Sequence, residues 1–236
     1  MASKPTVVLV HGAFADSSGW GGTIVRLLET GYSVVAASNP LRSAATDAAQ
    51  VRALVDSIDG PVVLVGHSYG GVVVSAASVG ARNVRALVFV AAFAPANDES
   101  AATLSSLYPG STLGDALRPV QLPDGDQDLY IDQERFHAQF CADVPDDLAT
   151  LMAATQRPIT AGALNEAVTG PQGWESLSSY FLIAGADRNI PAPAQHFMAE
   201  RAKGVVREVA NGSHAVFVAH PDVTASLIDR AAGESA

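Results

Sequence analysis

An apolar run, Pro61-Val62-Val63-Leu64-Val65, leads directly into Gly66-His67-Ser68-Tyr69-Gly70, and that pentapeptide leads directly into Gly71-Val72-Val73-Val74-Ser75-Ala76-Ala77. The first run has the length and the β-branched content of a buried strand. The run from Gly71 to Ala77 suits the start of a helix. A strand that becomes a helix within so few residues must turn sharply, and the serine at the centre of the turn then projects above the edge of the sheet. Small residues at 66 and 70 suit such a turn, because backbone approaches backbone where a Cβ would clash. The bare pattern G-x-S-x-G is common by chance. Its position between a strand and a helix is what gives it meaning.

The same rhythm recurs along the chain. Apolar runs of strand length fall at residues 6–10, 33–37, 61–65, 85–90, 180–184 and 205–209. Helical stretches fall between them at about 22–30, 45–58, 192–202 and from 215 onward, besides the helix after Ser68. Near-continuous apolar strands alternating with helices predict an α/β fold, with a mainly parallel sheet of about six strands covered on both faces. The rhythm breaks between Phe93 and Gly173, a stretch that holds Pro95, Pro109, Pro119, Pro123, Pro145, Pro158 and Pro171. Residues 98–173 are read as a small helical cap inserted between the fourth and fifth strands, with short helices at 128–140 and 146–154. Residues 1–97 and 174–236 then form the core. An insertion at the carboxyl edge of a parallel sheet lies over the place where such sheets bind ligands.

With 48% hydrophobic and 16% charged residues, the 236-residue chain suits one globular domain with a sizeable core. Cys141 is the sole cysteine, so no intramolecular disulfide can form. No basic or apolar leader precedes the first strand, and no run approaches the ~18 apolar residues of a membrane span. A soluble cytoplasmic protein is expected, with no membrane partner. The net charge of −10 argues against nucleic acid as a partner. Residues 98–176 hold thirteen Asp and Glu against three Arg, and the rest of the chain holds eleven of each sign. That acidic segment reads either as a solubilising surface or as a lid that disfavours anionic substrates.

A serine hydroxyl needs a base within hydrogen-bond reach to act as a nucleophile. Six histidines are available. His11 and His67 adjoin strand ends, His137 lies in the insertion, His196 falls mid-helix and His220 precedes Pro221. His214 lies in the loop after the last strand, at the end of the order Ser…Asp…His. The imidazole must be held by an acid. Asp187, in Gly185-Ala186-Asp187-Arg188-Asn189-Ile190-Pro191, follows the fifth strand and is preferred. It could instead cap the next helix or pair with Arg188, and Asp98 is the rival acid. Charge developing on a carbonyl oxygen needs backbone donors. The N–H of Tyr69 is one. The second comes from His11-Gly12-Ala13-Phe14, with Ala13 preferred over Phe14.

These segments resemble the α/β-hydrolase superfamily: HGAF after the first strand, GHSYGG at the turn, then GADRNIP and NGSHAVF. Within it the chain is similar to a small group that contains plant methyl-ester hydrolases, hydroxynitrile lyases and bacterial esterases. The resemblance implies an α/β-hydrolase fold and a serine hydrolase acting on a small carboxylic ester through an acyl-enzyme, with Ser68, Asp187 and His214 as the triad. It implies no cofactor and no metal. Lyases of the group carry lysine after the histidine, threonine at the position of Gly12 and glutamate at that of His67. Ala215, Gly12 and His67 all depart from that version. A ligand-binding or sensor protein on the same fold, or a hydroxynitrile-lyase-like enzyme, is the alternative. Tyr69, Phe14, His67 and Trp20 are candidate pocket residues, with packing the preferred reading of Trp20. Leu104, Leu107, Tyr108, Phe136 and Phe140 are candidates for the underside of the cap. Each could equally be packing. A homodimer is compatible with the sequence but not required by it.

Overall fold

The computed structural model describes residues 4–235. Nine strands are present among them: β1 (Thr6–Val10), β2 (Ser33–Ala37), β3 (Val62–His67), β4 (Val84–Val90), β5 (Leu117–Gln121), β6 (Gln127–Ile131), β7 (Ile159–Thr160), β8 (Ser178–Ala184) and β9 (Val205–Val209). The helices are α1 (Gly21–Glu29), α2 (Ala44–Asp56), α3 (Gly70–Ala77), α4 (Ala101–Ser105), α5 (Leu113–Ala116), α6 (Gln133–Phe140), α7 (Asp146–Thr155), α8 (Ala161–Asn165), α9 (Ala192–Arg201), α10 (Val216–Ala219) and α11 (Pro221–Glu234).

Six strands form one sheet in the order β2-β1-β3-β4-β8-β9, and every pairing in it is parallel. The central strands are apolar throughout because both faces are covered: Val7 to Val10, Val62 to Val65 and Ala86 to Val90 are fully buried. The edges differ. β9 exposes Arg207 and Glu208, charges that suit a strand with one unpaired side. From β1 the chain moves outward to β2 and then returns past β1 to β3. Right-handed crossovers therefore put α1 and α2 on opposite faces. The crevice beyond the carboxyl ends of β1 and β3, where the order reverses, is the place where open sheets of this type bind ligands.

The segment between β4 and β8 departs from the helical cap that the sequence suggests. It holds short helices, but also a three-stranded antiparallel sheet in the order β5-β6-β7. Residues 128–131, expected to be helical, belong to β6. The helix starts only at Gln133, where Asp132 accepts the Glu134 N–H at 3.0 Å. β6 is fixed from its other side by Gln156, whose amide pairs with both backbone groups of Ile131, at 2.8 and 2.9 Å. The turn joining β5 to β6 runs through Pro123-Asp124-Gly125 and is closed by Leu122 N–H to Asp126 O at 2.8 Å.

Three of the thirteen acidic residues fasten this segment to the core, at α2, the loop before it and α9. Glu166 accepts the N–H groups of Ala44 and Ala45 at the start of α2, at 2.6 and 3.2 Å. Asp128 pairs with Arg42 at 2.6 Å and Glu99 with Arg201 at 2.7 Å. Among the described residues, no helix is long and apolar enough to cross a membrane.

Candidate active site

Ser68 caps β3 with φ at +53° and is almost wholly buried. A non-glycine residue held there costs of order 1–3 kcal/mol, and such strain persists where surrounding structure fixes it. Here the Ser68 carbonyl accepts from Gly71 at 2.9 Å and Phe93 at 3.2 Å. A Cβ at Gly66 would stand 2.6 Å from the Gly70 carbonyl oxygen, so the turn needs glycine there. Gly12, in the loop after β1, passes close behind the serine. A Cβ on it would lie 2.6 Å from Ser68 Cβ and 2.7 Å from His67 O. The two loops at the switch point are thus in backbone contact.

That contact places Ala13 and Tyr69 on the same cavity as Ser68. The Phe14 N–H is taken by Arg157 O in the cap, at 2.9 Å. The N–H groups of Ala13 and Tyr69 have no hydrogen-bond partner among the described residues, and both residues line the cavity at Ser68. His11 holds the loop. Its Nδ1–H donates to Gly12 O at 2.9 Å, and its Nε2 accepts from Asn39 N–H at 3.1 Å. Burial lowers the His11 pKa and so keeps this tautomer neutral. Tyr69 is held by its hydroxyl, which donates to the buried Asp47 at 3.0 Å. Burial raises the pKa of Asp47, and burial beside that carboxylate raises the pKa of Tyr69.

His214 follows β9 and lines the same cavity. Its Nδ1–H donates to Asp187 Oδ2 at 2.7 Å, and both side chains are buried. A carboxylate accepts only, so Nδ1 carries the proton and Nε2 is left as an acceptor. Asp187 accepts three further bonds: Asn189 N–H at 2.7 Å, Ile190 N–H at 3.0 Å and Gln195 Nε2 at 3.0 Å. Asp98, the rival acid, is engaged elsewhere. Its N–H donates to Val168 O and its carboxylate accepts from Asn97. Among the described residues, Ser68 Oγ makes no hydrogen bond to His214. In unliganded sites such bonds are often long and tighten only with substrate.

The cavity measures about 210 Å³. The cap contributes Ala101, Leu113, Leu117 and Leu164, and the polar lining away from Ser68 is Ser105, Ser111 and Asn189. Among the described residues, no carboxylate, lysine or arginine lines it. A larger space of about 340 Å³, walled by alanines of α2 and α3, contains neither Ser68 nor His214. Among the described residues, no three His, Cys, Asp or Glu side chains are grouped to hold a metal ion.

The model of the alpha/beta hydrolase family matches residues 7–227. The chain belongs to that family. The alpha/beta hydrolase nvfD of Aspergillus novofumigatus is 27% identical to this hydrolase over 256 aligned residues, which span 98% of each chain. The fold is similar to that of polyneuridine aldehyde esterase, with a TM-score of 0.83 at 18% identity over 96% of this chain and 98% of that one. It is also similar to the methylesterase MES16 of Arabidopsis, with a TM-score of 0.80 at 16% identity over 98% and 99% of the two chains.

In this hydrolase some expected pocket residues lie elsewhere. Phe14 lines the cavity, but His67 does not. His67 is fully buried behind His214, among Trp20, Phe140 and Phe217. It points that way because its Nε2–H donates to His214 O at 3.0 Å. Burial, with His214 beside it, holds its pKa well below the usual imidazole value. Trp20 packs at a tilt against Phe217 and is core, the preferred reading of that residue. None of Leu104, Leu107, Tyr108, Phe136 and Phe140 lines the cavity; Leu107 is exposed, and Phe136 and Phe140 stack on one another in the core. The sequence alone does not single out Gln195 or Asp47. A glutamine eight residues after an acid, or a helical aspartate, carries no local signal for a partner that only the fold supplies.

Proposed function

We infer that this hydrolase cleaves a small, uncharged carboxylic ester through an acyl-enzyme on Ser68. His214 Nε2 takes the proton of Ser68 Oγ as the oxygen attacks the ester carbonyl. The carbonyl oxygen, now negative, receives the N–H groups of Ala13 and Tyr69. The imidazolium is stabilised by the Asp187 carboxylate, which its other hydrogen bonds hold in place and which keeps the ring in one tautomer. His214 then gives its proton to the departing alcohol. Water deprotonated by His214 attacks the acyl-enzyme, the acid leaves, and Ser68 regains its proton.

The observation that carries this reading is the convergence on one cavity of a strained serine, two unpaired N–H donors and a histidine whose Nδ1 is 2.7 Å from a buried carboxylate. The substrate limits come from the cavity. At about 210 Å³ it is below the roughly 300–1,000 Å³ of sites for drug-sized ligands. Its lining holds no cation to pair with an anionic group, and burying an unpaired charge is costly.

A series of neutral esters of increasing acyl length tests the reading, with Ser68→Ala as the control. Turnover of the short members, lost by about 10⁴-fold or more in the variant, is expected. Binding of those esters without turnover would leave a ligand-binding protein in its place.

A further inference from the structure

Three consecutive residues of the loop that carries the proposed base are anchored, and two of the anchors come from the cap. The Ala215 N–H donates to Phe140 O at 3.0 Å. The His214 carbonyl accepts from His67 at 3.0 Å. Ser213 is gripped by Asp143, which lies in the connection between α6 and α7. Asp143 Oδ2 accepts the Ser213 N–H at 3.1 Å, and Oδ1 accepts the Ser213 hydroxyl. The same carboxylate stands 3.2 Å from His220 Nε2. Seventy residues separate Asp143 from Ser213, so only the folded cap can make this grip.

We propose that Asp143 is a positioning residue for His214. The proposal rests on the reading of His214 as the base. Asp143 occupies both donors of the residue before the histidine, which leaves that residue no freedom to rotate. Charge-assisted bonds to a carboxylate are about twice as strong as neutral ones, and they hold the backbone on which the imidazole reaches Asp187. Phe140 acts on the residue after the histidine, and its ring stands edge-on to the His214 ring at 5.0 Å between centroids. Both cap contacts come from the end of α6 and the turn after it. The cap therefore sets the base as well as roofing the cavity. His220 is a third donor to the same carboxylate. It lies between α10 and α11, so Asp143 also ties the histidine loop to the elements that come after it.

Asp143→Ala and the milder Ser213→Ala test this, with two readouts. The first is independent of turnover: the ring Nδ1–H resonance of His214, assigned by its loss in Asp187→Asn. It is expected to broaden or vanish in Asp143→Ala while melting remains cooperative. The second is kinetic, with kcat expected to fall about 10- to 100-fold and KM to stay within about twofold. Ser213→Ala should show a smaller fall in the same direction, and the double variant should be no worse than Asp143→Ala alone. An unchanged resonance and unchanged kcat in either folded variant would overturn the proposal. If the wild-type chain turns over no ester, the proposed function fails, and the resonance alone decides the place of Asp143.

Discussion

At the scale of residues, the site depends on groups that never meet a substrate. Gly12 is one. An added Cβ would collide with Ser68 Cβ and His67 O, neither of which can yield without moving the serine turn. Gly12→Ala should displace the Ala13 donor and cost about 10²–10³ in kcat, as loss of one oxyanion donor does. Steady-state kinetics on a short-chain ester would show it, and a kcat within twofold of wild type would place the donor elsewhere. Gln195 is another. Its amide donates to Asp187 and to Ile190 O and accepts from Ala184 N–H. Gln195→Leu removes one bond to an ionised carboxylate and strands two backbone groups, so kcat and unfolding free energy should both fall, the latter by about 1.5–3 kcal/mol. Ser68, Asp187 and His214 stand out as candidates in the sequence because Ser68 directly follows β3 and the other two lie in the loops just past β8 and β9, in the order such a sheet requires. His67 misleads because adjacency to Ser68 in the chain does not give the direction of its ring. Its bond to His214 O turns it into the core.

At the scale of elements, the cap is where sequence reasoning falls short. β5 is short, largely exposed and interrupted by Pro119, and β6 is short and half-buried, so neither has the unbroken apolar character that reveals the main sheet. A signal is nonetheless present in Pro123-Asp124-Gly125, the chemistry of a tight turn between two strands. The four central strands of the main sheet are legible because burial on both faces demands an apolar residue at nearly every position, and the edge strands β2 and β9 are legible from their short β-branched runs although part of each is exposed. The acidic excess also changes meaning. Glu166 caps α2, Asp128 and Glu99 pair with arginines, and Asp143 holds Ser213, while no carboxylate among the described residues lines the cavity. On the proposed reading, discrimination against anionic esters would come from desolvation inside the pocket rather than from an acidic lid. The preference for a neutral ester over an anionic one of equal shape should persist from about 10 mM to 500 mM salt, across which exposed charges become screened. A preference that collapses with added salt would restore the lid.

At the scale of the whole molecule, His11 and His67 tie stability to pH. Burial lowers the pKa of both in the folded chain, so they take up protons less readily there than in the unfolded chain. The unfolded chain takes up protons on them below about pH 6.5. Below that value the unfolded state binds more protons, so stability falls as pH drops. Each histidine contributes a limiting slope of about 1.4 kcal/mol per pH unit. Asp47 acts in the opposite sense, and only across the more acid range between its ordinary 3.8 and its raised folded value. Urea unfolding at pH 7.5, 6.5 and 5.5 should give a small loss over the first step and a larger one over the second, and equal stabilities would contradict the lowered folded values. The same two histidines hold the donor loop and the base loop, so loss of fold and loss of site should coincide on acidification. On the proposed reading, all these supports serve one nucleophile, Ser68. Intact mass measured within seconds of mixing with an activated short-chain ester tests it most directly. A single acyl adduct on Ser68 that decays with turnover is expected, with none in Ser68→Ala. Turnover without an adduct, or an adduct that persists in Ser68→Ala, would contradict the account.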